Sequence, residues 1–162
     1  MGLNFNTLNA GLVSIFTFES LPEMSLSQGL TSTSDAAGAW ARVLVSYLKT
    51  ASAGGAVQTP GVLDTQQAVV RATLLAGFLS SSLGTLIRSM SDALFLPPLT
   101  FAGGWAVTSV TQGQAAAEAA IRDLPLTADN VGAAFRVATI LDTYTRTCIV
   151  TQASSGTTVP LS

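Results

Sequence analysis

The hydrophobic positions of this chain recur at helical spacing in four segments, separated by stretches rich in Gly, Pro, Ser and Thr. The longest segment opens at Asp64 and runs to about residue 96, where two prolines end it. The last segment begins at the cap sequence LTADN and has apolar residues on two faces, which is typical of a central helix. Two shorter helices are predicted, over about residues 35–51 and between Thr111 and Pro125.

Short extended segments are predicted at three places. Apolar and polar residues alternate over about residues 105–110, as they do in a strand. We also expect short β or extended structure at the N-terminus and in the polar C-terminal tail. Past Tyr144 the composition turns β-branched, so the last helix either passes into a strand or continues to about Gln152. The Gly- and Pro-containing stretch of residues 51–61 is predicted to be a loop.

Together these elements predict a mainly α fold, a compact helical bundle around two long helices at about residues 64–96 and 128–150. A chain of 162 residues is long enough for one domain with a core and too short for two comfortable ones. We therefore expect a single helical domain over residues 1–162. Its ends, about residues 1–30 and 153–162, are expected to be flexible or to contact a partner.

The longest segment carries two patterns at once. Large apolar residues form one stripe along it: Leu75, Leu79, Leu83, Leu86 and Met90. Small residues recur at every fourth position beside them, and because residues four apart stack on one helix face, they predict a shallow groove for another helix. This groove fits packing within the chain or a contact between subunits. The candidate interface residues are Ala72, Ala76, Gly77, Ser80 and Gly84, together with Trp105.

Charged residues are scarce, at 10 % of the chain, where about 25 % is usual. Such a chain must cover its exterior with small polar residues or with other subunits, and we favour the second interpretation. The net charge of −2 and the single lysine leave no basic field, so no nucleic-acid partner is expected. The uncharged residues 72–87 are shorter than the roughly 20 apolar residues of a membrane span, and the N-terminus has no basic leader. No membrane span and no secretion signal are therefore predicted.

The chain lacks several residues that catalytic and metal-binding sites usually contain. The chain has no histidine, the commonest general base and a frequent metal ligand. Its single cysteine, Cys148, is predicted to be a buried, inert thiol. An enzyme would use carboxylates and arginines without histidine, for instance Asp142 or Asp129 with Arg136 or Arg146. The spacing of Asp142 and Arg146 is that of a surface ion pair. We therefore expect no enzyme and assign no catalytic, cofactor-binding or metal residues.

Two stretches of the chain echo each other. GAWARVLV at residues 38–45 and GAAFRVAT at residues 132–139 share Gly, Ala, Arg and Val in register. The match would fit a duplicated helical hairpin, but chance is the simpler explanation in a chain so rich in alanine.

The turn FAGGWAVTSVTQ, the Ala-rich helix after it, the stretch AAFRVATILDTYTRTCIVTQ and the Thr/Val/Pro tail form a further pattern. Over about residues 65–162 it resembles small virion structural proteins of tailed bacteriophages. The resemblance implies a minor capsid, decoration, head-to-tail or tail protein that contacts itself or other virion proteins. It implies location in the virion after assembly in the host cytoplasm, and it carries over no functional residues.

We therefore predict a non-enzymatic structural subunit, as a homo-oligomer or in a repeated assembly. The alternative is a helical binding module that encloses an apolar ligand or a partner helix.

Overall fold

A computed structural model of the protein describes residues 2–17, 33–80, 83–95, 99–125 and 129–162. In these ranges the chain forms helices and short strands in alternating pairs. The helices are α1 (Phe5–Thr17), α2 (Thr33–Leu48), α3 (Val62–Ser80), α4 (Leu83–Phe95), α5 (Gln114–Arg122) and α6 (Asn130–Thr145). The strands are β1 (Ser52–Ala53), β2 (Ala56–Val57), β3 (Thr100–Phe101), β4 (Trp105–Ser109), β5 (Ile149–Gln152) and β6 (Thr158–Pro160).

The order of the elements repeats three times, because each pair of helices is followed by a pair of antiparallel strands. We call these segments units 1, 2 and 3 in chain order. The first helix of each unit packs against the second helix of its own unit and against the second helix of the preceding unit. Since α1 packs against α6 in the same way, the helices form a closed cycle with approximate threefold repetition.

The sequence echo falls on equivalent parts of this repeat. Residues 38–45 lie on α2 and residues 132–139 lie on α6, which are the second helices of units 1 and 3. Gly84 and Arg88 stand at the matching positions of the second helix of unit 2, α4. The echo is therefore one visible part of a threefold arrangement rather than a single duplicated hairpin.

The strands also close into a ring. β1 pairs with β2, and the other strands form an antiparallel sheet in the order β3-β4-β5-β6. Gln58 bridges Phe101 and so joins β2 to β3. On the other side, the N–H groups of Ser52 and Ser162 each donate to the other's carbonyl, at 2.6 and 3.1 Å, which joins the end of β6 to β1. The two sheets are thus joined at both ends, through the bridge at Gln58 and through the paired main-chain groups of Ser52 and Ser162.

The stretch that was predicted to be a loop contains the first hairpin of this ring. Gly54 and Gly55 form its turn with φ angles of +55° and +82°, a region that glycine adopts without strain. A Cβ atom on Gly54 would lie 2.8 Å from Cζ2 of Trp105. The indole therefore packs directly on the turn, and only glycine leaves room for it.

The N-terminal segment is a helix, which corrects the expectation of extended structure there. The Oδ1 atom of Asn4 accepts hydrogen bonds from the N–H groups of Asn6 and Thr7, at 3.0 and 3.3 Å, and caps α1. The residues that α1 buries follow at helical spacing: Leu8, Leu12 and Ile15. One apolar cluster includes them together with residues of the other described helices and of the strand ring.

The mainly α class is confirmed, but a bundle around two long helices is not. The segment predicted as one helix over about residues 64–96 contains α3 and α4, which pack against each other. One straight helix of that length would span about 50 Å, whereas a domain of this size has a radius of gyration of about 15 Å. The helix predicted to reach about residue 150 ends at Thr145, and β5 follows it.

The strand near residues 105–110 is confirmed as β4, and the extended C-terminal tail is confirmed as β6. Both ends of the chain contribute to the fold where they are described. Residues 5–17 form α1, and Leu161, next to the ring closure at Ser162, is buried. Residues 18–30 lie outside the described residues.

Candidate interaction surface

Helix α3 has one buried face and one exposed apolar face. Leu63, Val70 and Leu74 are at most 1 % exposed and face the core. On the opposite side, exposed residues recur at alternating spacings of four and three, which places them on one stripe of the helix. We call this stripe the α3 outer face, and its residues are Thr65, Val69, Ala72, Ala76 and Leu79.

The α3 outer face carries no charge and few free polar groups. The two charged residues of α3, Asp64 and Arg71, have partners on the side of α2: Lys49 forms an ion pair with Asp64, and Arg71 donates to Oγ of Ser34 at 2.7 Å. The hydroxyl of Thr65 donates to the helix carbonyl of Val62, at 2.8 Å. The hydroxyl of Thr65 therefore has its hydrogen-bond partner within the helix.

The structure brings together only some of the predicted interface residues. Ala72 and Ala76 lie on the α3 outer face, whereas Gly77 is half-buried on the side of Val70 and Leu74. Gly84 belongs to α4, so the fourfold spacing from residue 72 to residue 84 does not run along one helix, which corrects the predicted groove. The side chain of Ser80 lies outside the description. Trp105 is on β4 against Gly54 and is part of the strand ring.

Sequence reasoning missed the two largest residues of this face. Leu79 is 71 % exposed and Val69 is 55 % exposed, whereas the sequence placed Leu79 in the stripe of large apolar residues and not among the candidate interface residues. The signal for Val69 was its spacing of three from Ala72. It was not recognised because an exposed valine and a buried valine look identical in the sequence.

A cleft of about 820 Å³ opens between α2 and α3 beside the outer face. Small residues from both helices form much of its lining: Gly38, Ala41, Ala68 and Ala72. Asp35 and Arg71 also line the cleft and make it polar along part of its length. A smaller crevice of about 270 Å³ lies between α5 and α6, lined by alanines such as Ala116 and Ala120.

The carboxylate that was considered for catalysis is held by its neighbours. Asp142 accepts hydrogen bonds from the hydroxyl of Tyr47, at 2.5 Å, and from Nε of Arg146, at 2.8 Å. Arg146 also donates to the main-chain carbonyl of Leu3, at 3.0 Å. Burial, and then the hydrogen bond to Asp142, raise the pKa of Tyr47 well above its usual range. The cluster ties α2, α6 and the N-terminal residues together, and a structural role accounts for all of these contacts.

Two further ionisable groups are buried close to it. The hydroxyl of Tyr144 lies 2.6 Å from Oγ of Ser91 and donates to the carbonyl of Val110 at 2.8 Å. Burial raises the pKa of Tyr144 to about 12 and that of the Cys148 thiol, which is fully buried, to about 12. At neutral pH Cys148 is therefore a protonated thiol, as its predicted burial implied, and not a nucleophilic thiolate.

Asp129, the other candidate carboxylate, caps a helix. Its Oδ1 atom accepts a hydrogen bond from the N–H of Gly132, at 3.0 Å, in the first turn of α6. Within the described ranges, no three His, Cys, Asp or Glu side chains come together as a metal ion would require. None of the helices searched in those ranges is both long and apolar enough to cross a membrane.

Comparison with known proteins adds no relative to this description. No family model, no curated protein and no solved structure matches the chain.

Proposed function

We propose that the protein is a non-enzymatic structural subunit of a larger assembly and that it acts through protein–protein contacts. One observation carries this proposal: the α3 outer face exposes Leu79 and Val69 to solvent without any charged residue among its members. Large apolar side chains that are exposed together on one helix face favour an interaction surface, because covering them removes apolar area from water.

The closed ring of strands supports contacts through helices. Because the two sheets are joined to each other at both ends, the described strands leave little edge to which a partner could add a strand. The low proportion of charged residues, 10 %, also favours a subunit whose surface is partly covered. The sequence resemblance extends the proposal to a phage virion component, a minor capsid, decoration, head-to-tail or tail protein.

The proposal is tested by the size of the protein in extracts of the cells that produce it naturally. We expect it to elute far above the 16.6 kDa of one chain, and we expect Leu79→Lys to shift it towards smaller sizes. Val57→Lys is the matched control, because Val57 is 63 % exposed but lies on β2. A wild-type protein that elutes as a free monomer from these extracts would contradict the proposal.

The cleft between α2 and α3 favours a second function, a helical binding module for an apolar ligand or a partner helix. Its volume of about 820 Å³ is that of a ligand pocket. We expect this module to bind an apolar fluorescent dye at one molecule per chain, and Ala68→Phe to abolish binding by filling the cleft. Ala115→Phe, at an exposed position on α5, is the control. Absence of saturable dye binding to the wild type rules this function out.

A further inference from the structure

Four of the five side chains of the α3 outer face are arranged symmetrically by size. Two small residues, Ala72 and Ala76, lie in the middle, and the larger Val69 and Leu79 lie one step beyond them on either side. The spacings between these positions are three, four and three in both directions along the helix. An antiparallel copy of α3 therefore presents the same pattern as α3 itself.

The geometry points to a second copy of this chain as the occupant of the α3 outer face. The two α3 helices pack antiparallel about a twofold axis that passes between Ala72 and Ala76. In this arrangement Ala72 faces Ala76 of the other copy, where the small side chains allow the helices to approach closely. Val69 faces Leu79 of the other copy on each side. The inference rests on the proposed function and specifies the partner of the same surface.

Charge favours contact between two copies of this face. A twofold contact brings identical groups near each other, so a charged face would repel its own copy. The α3 outer face has no charged member, and the nearest charge, Arg71, is held towards α2 by Ser34. The exposed ring of Phe135 on α6 is a poorer candidate, because it already packs edge-to-face on Phe5 at 5.5 Å.

The area of the face sets the strength of the contact. From Thr65 to Leu79 the face is about 21 Å long, and a helix about 10 Å wide covers on the order of 200 Å² of surface there. Stable interfaces bury about 800 Å² on each partner. The isolated pair is therefore weak, with a dissociation constant on the order of 0.1 to 1 mM. A contact of this strength suits a subunit that several neighbours hold at once.

Disulfide cross-linking tests the predicted pairing directly. Ala72→Cys and Ala76→Cys are made separately, mixed at about 0.5 mM, near the expected dissociation constant, and oxidised. We expect covalent heterodimers to exceed either homodimer several-fold. In the antiparallel pair, the cysteine at position 72 of one copy and the same cysteine of the other would be offset by about 6 Å along the helix axes, and the same holds for position 76. Because a disulfide requires Cα atoms within about 7 Å of each other, this offset disfavours the homodimers. The native Cys148 is fully buried and does not compete.

Ala115→Cys, at an exposed alanine of α5, gives the background of random collisions. Cross-linking of the mixture at this background level overturns the inference. A preference of Ala72→Cys for its own copy overturns it as well, because that product requires parallel helices or an antiparallel pair in another register.

Sedimentation of the purified wild type, from micromolar to millimolar concentration, provides an independent measurement. We expect a monomer–dimer equilibrium that Leu79→Lys weakens at least tenfold and Val57→Lys leaves unchanged. A wild type that remains monomeric at about 1 mM, the weak limit of the expected range, overturns the second copy as the occupant. If the extracts still contain a large species that depends on Leu79, the proposed function stands with a different partner; if they contain only the monomer, the proposed function itself fails.

Discussion

Helices α1 and α3 occupy equivalent places in the fold but are covered very differently. Each is the first helix of its unit, and each packs against the second helices on either side of it. Helix α1 approaches α2 so closely that a Cβ atom on Gly11 would lie 2.6 Å from Cγ1 of Val43. Its fully exposed residues are the small or polar Asn6 and Ala10. Helix α3 exposes Leu79, at 71 %, and Val69, at 55 %.

The difference shows that position in the repeat does not determine how a helix is used. Burial of Leu8, Leu12 and Ile15 makes α1 part of the core. Helix α3 is longer and has apolar residues on both sides, so burial against its neighbours leaves one apolar face in water. In the repeat, α1 therefore stabilises the chain, and α3 carries the surface that we assign to assembly.

Truncating one leucine on each helix tests this contrast with the largest expected effect. Leu12→Ala removes a fully buried side chain and should lower the free energy of unfolding by about 3 kcal/mol, through lost burial and a cavity. Leu79→Ala, at a position that is 71 % exposed, should change it by less than about 0.5 kcal/mol. Urea denaturation of the monomer measures both. Similar losses in the two variants would show that α3 is covered by its own chain.

A substitution that disrupts the strand ring should lower stability, as truncation of the buried Leu12 does. Gly54→Ala places a Cβ atom 2.8 Å from the indole of Trp105 at a φ of +55°, which should cost about 2 to 3 kcal/mol of stability. Gly55→Ala is the matched control. Its φ of +82° is also strained for alanine, but no atom lies within 4 Å of the added Cβ. We expect about 1 kcal/mol there by thermal or urea unfolding. Equal losses would show that Trp105 does not press on the turn.

Alkaline pH should lower the free energy of unfolding through the buried ionisable groups of the core. Burial raises the pKa of Cys148 from its ordinary value of 9.0 to about 12. The thiol's contribution is therefore fully present below pH 9 and is lost as pH rises from about 9 towards 12. At about pH 10.5 this loss amounts to roughly 2 kcal/mol. Tyr47 and Tyr144, whose pKa values are also raised, add to it at higher pH.

Cys148→Ala provides the control for this pH dependence. Its stability should be lower at neutral pH but should fall less steeply between about pH 9 and 10, below the ordinary pKa of tyrosine. Urea unfolding at a series of pH values gives both slopes. An unchanged slope in the variant would mean that the thiol is not the group that titrates.

The smallest expected effect comes from the start of α1. Asn4→Ala removes the side chain that caps the first turn and should cost about 1 kcal/mol. Asn6→Ala lies in the same turn and is exposed, but its side chain is not the cap. It should change stability by less than about 0.5 kcal/mol, as read from the urea midpoint. If both variants unfold alike, the capping assignment is wrong.

Much of the local structure could be predicted, because it depends on residues close in the chain. The helical spacing of Leu44, Tyr47 and Leu48 predicted α2, and the alternation from Trp105 onward predicted β4. The N-terminal helix was missed although Asn4 begins it with a good capping residue. The spacing of Leu8, Leu12 and Ile15 would have identified it.

The candidate surface was only partly predictable. The pattern of small residues led to Ala72 and Ala76, but it continued into α4 at Gly84, on a different helix. Leu79 belonged to the separate stripe of large apolar residues, which was not assigned to the interface, whereas its side chain is the most exposed large apolar group of the face. A sequence shows which residues share a helix face, but the neighbouring helices decide which of two apolar faces they cover.

The sequence by itself determined the helical class, the scarcity of charge and the apolar character of α3 on two sides, since these follow from composition and local spacing. Only the tertiary structure decided the threefold order of units, the ring closed between Ser52 and Ser162, and the exposure of the α3 outer face. These features join residues that are far apart in the chain. They form through packing and hydrogen bonds between distant segments, and these contacts cannot be identified from the local pattern of amino acids in either segment alone.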